Sequence, residues 1–67
     1  MVANPQKAIE KATSAKKLAE ILDEILKPWY PNSDVVGWLG WVSKYKSLDM
    51  AKKSATAMYD RKRDARS

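Results

Sequence analysis

This sequence predicts an all-α fold: an antiparallel helical hairpin with a longer basic second helix. Three observations carry that expectation. Apolar residues recur at three- and four-residue spacing from Ile9 to Leu26 and again from Trp38 onward; Pro28 and Pro31 separate the two stretches; and residues that cap helices stand before each, Asn4 ahead of the first and Asn32, Ser33 and Asp34 ahead of the second. At 67 residues the chain is one small helical domain, 1–67. A lone domain of this size buries only roughly 60% of the surface its unfolded chain exposes.

The first helix is expected over about 5–27. The Asn4 side chain can accept an unpaired amide of the first turn, and Pro5 at the first helical position gives up no hydrogen bond. Ile9, Ala12, Ala15, Leu18, Ala19, Leu22, Ile25 and Leu26 then line one face, widened by Ile21, while Lys7, Glu10, Lys11, Lys17, Glu20, Glu24 and Lys27 line the other. The Ala-rich first half favours helix but buries little area, so the packing energy is expected between Leu18 and Leu26.

A turn is expected over 28–33. Pro28 pushes Lys27 away from helical geometry and Pro31 repeats the instruction, leaving Trp29 and Tyr30 in a stiff segment. Trp29 is the natural lid on the hairpin end. So short a connection makes the flanking helices antiparallel neighbours.

The second half, about 34–65, is read as a helix or helices. Val35 to Val42 is apolar or glycine on every side, which alone would also suit a strand; the caps before it and the helical spacing after it, through Tyr45, Leu48, Ala51, Ala55, Met58 and Tyr59, favour helix. One long bent helix is expected, with a break near Ser47, giving a three-helix unit, as the alternative. An unbroken second helix would outrun the first by several turns and leave its end without an intrachain partner. Gly37 and Gly40 each cost a helix about 1 kcal/mol relative to Ala, and at three apart they nearly share a face, so close approach of another helix is expected there.

Composition narrows the chemistry. With no Cys and no His, disulfides are excluded and a zinc site would need carboxylates alone, so no metal or other cofactor is expected. Nothing in the chain titrates near neutral pH to serve as a base, the carboxylates Glu20, Asp23 and Glu24 fall on a solvated helix face, and Gly37 and Gly40 lack the Lys of a phosphate-cradling loop. The reading is therefore of a protein that is not an enzyme and takes no small-molecule substrate. The Lys- and Glu-studded N-terminal helix is unlike a signal peptide, and the apolar run from Val35 to Val42 falls far short of the roughly 20 residues that cross a bilayer. Synthesis in the cytoplasm is expected; the sequence leaves the final location open, a membrane periphery and a particle being two alternatives.

Charge is unevenly spread. Thirteen Lys and Arg stand against eight Asp and Glu; residues 1–34 hold five of each sign, so the whole excess of +5 falls in residues 35–67. Three partner classes follow. The first is self-association, or docking into a larger protein assembly, through an apolar aromatic surface of Leu18, Leu22, Leu26, Trp38, Leu39, Trp41, Val42 and Tyr45, since so much apolar surface exceeds what a marginal core needs. The second is an anionic membrane surface, met by indole rings and the lysines that follow them. The third is nonspecific nucleic acid. Lys44, Lys46, Lys52, Lys53, Arg61, Lys62, Arg63 and Arg66 are the contacts for either polyanion or lipid.

Overall fold

Four helices follow one another in the computed structural model, which describes the backbone of residues 4–66 and the side chains of 4–64: α1 (Pro5–Lys11), α2 (Ala15–Ile25), α3 (Val35–Ser43) and α4 (Leu48–Arg66). The all-α class is as expected, and no strand occurs among the described residues.

α1 begins as its sequence dictates, with Asn4 Oδ1 accepting from the Lys7 amide at 3.1 Å and Pro5 in the first turn. The single helix expected over 5–27 is, however, two helices. Ala12 turns to extended geometry (φ −60°, ψ 129°), and Ser14, also extended, caps α2 by accepting from the Lys17 amide at 3.2 Å. A serine hydroxyl offers the backbone an alternative to helix at this position, so the stripe divides while both halves still face one core.

α2 ends at Ile25, two residues before Lys27, and the turn closes on the Leu26 carbonyl, which accepts from the amides of Trp29 (3.1 Å) and Tyr30 (2.9 Å). Lys27 Nζ ties the turn down by donating to Asp23 Oδ1 (3.2 Å) and to the Ser33 carbonyl (3.0 Å). Of the three candidate caps, Asp34 takes the role: its Oδ1 accepts from the Gly37 amide at 2.8 Å.

The break near Ser47 is present. α3 stops at Ser43, residues 45–47 bend, and Ser47 opens α4, its hydroxyl accepting from the Met50 amide at 3.3 Å and its carbonyl from Ala51 at 3.2 Å. The bend sends α4 back across α1 and α2, so the expected overhang does not occur. Ala51 and Ala55, both fully buried, let α4 sit close against the core. Two hydrogen bonds tie α4 to α1: Gln6 Nε2 donates to Asp60 Oδ1 at 2.7 Å, and Lys52 Nζ donates to the Glu10 carbonyl at 2.8 Å, satisfying the exposed C-terminal end of α1. Trp29 is half-buried and meets Tyr59 edge to face, centroids 6.1 Å apart, so the lid closes on α4.

Ile9, Ala12, Leu18, Ala19, Leu22, Ile25 and Leu26 from the first half meet Trp38, Val42, Ala51 and Ala55 from the second in one core. The radius of gyration, 10.9 Å, equals the roughly 11 Å of a compact chain this long.

Candidate functional site

α3 differs in kind from its neighbours. Its nine residues carry no charge, and it packs chiefly against α2 through Trp38 and Val42, which are buried, and Val35, which is half-buried. On a helix of 3.6 residues per turn, Val36, Gly40 and Ser43 fall on the side away from Trp38 and Val42, with Gly37 beside them. All four are exposed, Val36 to 78%. Leu39 and Trp41, half-buried, border this outer face on its two flanks.

The space above the two glycines is unequal. A methyl group on Gly40 would meet nothing within 4 Å, so the close helix approach expected here is not supplied by this chain. On Gly37 the same group would lie 3.3 Å from Asp34 Oδ1, because the capping carboxylate leans over that residue. The outer face thus carries a carboxylate at its start and exposed Lys44 at its end, with an uncharged, low surface between.

Aromatic rings brace the inner side. Tyr30, Trp38, Trp41 and Tyr45 form a continuous edge-to-face ladder with centroid separations of 5.6, 5.8 and 5.0 Å. Trp38 and Trp41 therefore support each other. The Trp38 indole N–H donates to Ser33 Oγ at 3.0 Å.

Of the eight residues expected to form the apolar docking surface, Leu18, Leu22, Leu26, Trp38 and Val42 are buried within the chain's own core, where no partner reaches them in the folded state. The physical reason is α4: by folding back, it and α3 complete a core that the hairpin reading left open. Leu39, Trp41 and Tyr45 remain half-buried and accessible. Val36 and Gly40 complete the accessible set, and their signal in the sequence was position, since each lies a half-turn from the Trp38–Val42 stripe.

Three of the basic residues expected to meet polyanion or lipid are engaged within the chain. Lys52 is committed to the Glu10 carbonyl, Lys62 lies over the Tyr30 ring (5.2 Å to its centroid), and Arg63 lies over Tyr59 (5.8 Å) and beside Asp60 Oδ1 (3.7 Å). Lys44, Lys46, Lys53 and Arg61 are exposed, divided between the bend and the outer side of α4. The side chain of Arg66 lies outside the described residues.

An open groove of about 720 Å³ runs between α1 and α4, and the Gln6–Asp60 and Lys52–Glu10 hydrogen bonds join its two walls. No cluster of metal-binding side chains occurs among the described residues, and no helix there is long and apolar enough to cross a membrane.

No protein-family model, curated protein or solved structure matches this chain. The functional argument therefore rests on its own surface, and the outer face of α3 is where that surface departs most from an ordinary solvated helix.

Proposed function

We propose that this is a non-enzymatic interaction protein, a small helical subunit that docks onto protein through the outer face of α3. The observation that carries the reading is that an uncharged nine-residue helix packs on one side only, leaving Val36 exposed to 78% and Gly40 under open space. Two glycines within so short a helix cost stability without any intrachain return at Gly40, which is what a surface kept low for a close partner requires. The remaining helices support the reading by holding α3 rigid: its inner side is anchored by the core, the aromatic ladder and the Asp34 cap.

The test is a photo-reactive p-benzoylphenylalanine at position 36, with position 53 on the exposed side of α4 as control, in the full chain mixed with extract of its source cells. Covalent protein adducts should form at 36 and not at 53, and should vanish when Gly40→Glu is added. Equal labelling at both positions, or none at 36, would sink the reading.

An anionic membrane surface is the second reading, favoured by half-buried Trp41 and Tyr45 beside exposed Lys44 and Lys46. It requires a blue shift of Trp fluorescence with vesicles containing phosphatidylserine, weakened by salt; no shift at low salt removes it. Nucleic acid ranks third, because Lys52, Lys62 and Arg63 are engaged within the chain.

A further inference from the structure

We infer that the partner on the outer face of α3 is a second copy of this chain, bound antiparallel about a two-fold axis passing by Gly40. The inference rests on the interaction reading above and adds the occupant and its register.

Charge complementarity carries the assignment. The Asp34 carboxylate does not simply sit before the helix. It accepts from the Gly37 amide and lies 3.3 Å from where a Gly37 side chain would begin, which places it on the outer face, on the N-terminal side of Gly37. Lys44, which caps α3 in helical geometry and is exposed, lies four residues after Gly40. At 1.5 Å per residue these are axial offsets of between about 4.5 and 9 Å for the carboxylate and about 6 Å for Lys44, in opposite directions. Reversing one copy on the other about Gly40 therefore sets Lys44 of each against the Asp34 carboxylate of its partner, twice per dimer, with nothing charged between.

The arrangement is self-complementary, as a two-fold interface must be: the same patch serves both copies. Val36 of each copy then falls opposite the Lys44 stem of the other, where the methylenes cover it while the ammonium reaches past to Asp34. Gly40 meets Gly40, and the two missing side chains allow the helix axes to approach closely. Lipid would gain nothing from those missing side chains, and the Asp34 carboxylate would oppose an anionic headgroup layer.

Size sets the strength. A helix of nine residues is about 13 Å long, so its one face covers well under the roughly 800 Å² per partner of a stable complex and belongs with weak, transient contacts. The dissociation constant should lie above about 1 µM.

Sedimentation equilibrium of the full chain, from about 1 µM to 1 mM, tests this. The wild type should pass from monomer to dimer. Gly40→Glu, which sets two carboxylates against each other across the axis, should weaken dimerisation at least tenfold while helicity by circular dichroism is retained. Asp34→Asn keeps a capping side chain and removes the charge, and should weaken dimerisation about threefold, reporting on the charge pair even if Gly40→Glu folds poorly. A wild-type chain monomeric throughout, or dimerisation undiminished in folded Gly40→Glu or in Asp34→Asn, overturns the second-copy assignment. The position-36 cross-link then reports separately: adducts with another protein preserve the interaction reading with a different partner, and their absence removes both.

Discussion

The Trp38 indole N–H donates to Ser33 Oγ at 3.0 Å, and the same hydroxyl donates to the Tyr30 carbonyl at 2.8 Å. One side chain in the turn thus satisfies a buried ring on α3 and fixes the path by which the chain reaches it. Ser33→Ala should leave the indole N–H without a partner and cost about 1–3 kcal/mol. In thermal unfolding each kcal/mol should lower the midpoint by about 4–8 °C. Trp38→Phe removes the donor but keeps a ring, so the double variant should be less destabilised than the sum of the two; strict additivity would show the bond to be energetically silent.

Ala51 and Ala55 hold α4 against the core without any exposed surface, whereas Ala57 on the same helix is exposed. Ala55→Leu has no room and should destabilise by about 1–3 kcal/mol through overpacking. Ala57→Leu should stay within about 0.5 kcal/mol of wild type. Urea denaturation compares them; equal midpoints for the two variants would mean that α4 is not packed as described.

Glycine at position 40 has open space and glycine at position 37 does not. At concentrations low enough to keep the chain monomeric, Gly40→Ala should raise stability by about 1 kcal/mol, the helix-propensity difference. Gly37→Ala should gain less, because its methyl presses on the carboxylate that caps the helix. Reversal of that order in chemical denaturation would place the Asp34 carboxylate elsewhere.

Polyanion binding should be feeble. Of the cations described in the second half, residues 35–64, only Lys44, Lys46, Lys53 and Arg61 are both exposed and outside the contacts that hold Lys52, Lys62 and Arg63. Even if all four met phosphates at once, the slope of log affinity against log salt on duplex DNA would reach only roughly 3.6. Fluorescence anisotropy of a labelled duplex across a salt series measures it; a steeper slope would require the engaged cations to be released or the exposed lysines of α1 and α2 to join.

How much of this was legible in the sequence depends on the range of the interaction. Asn4 with Pro5, Pro28 with Pro31, and Ser47 act on their immediate neighbours, and the helix start, the turn and the break they signal are all present. Ser14 acts just as locally but was masked, because Ala12 and Ala15 fit an unbroken helical stripe equally well. The return of α4 is a long-range choice: spacing shows which face of a helix is apolar and says nothing of which helix will cover it. That is why Leu18, Leu22 and Leu26 read as an unfinished surface when α3 and α4 complete it. For the site, the glycines pointed to a close partner, and only the three-dimensional arrangement showed that α2 lies on the other side.

The Gln6–Asp60 hydrogen bond joins residues 54 apart in sequence, and this bears on the order in which the chain assembles. α2 and α3 meet across a nine-residue connection and form the densest helix pair, so their association closes only a short loop. α4 should dock afterwards, since its bond to α1 closes a loop spanning nearly the whole chain. The same seam should be the first to part, with amides of α4 exchanging with solvent through partial openings while those of α2 wait for global unfolding. Such an opening lifts Ala51 and Ala55 off the core and leaves α3 seated on α2, so its outer face should outlast the detachment of the C-terminal helix.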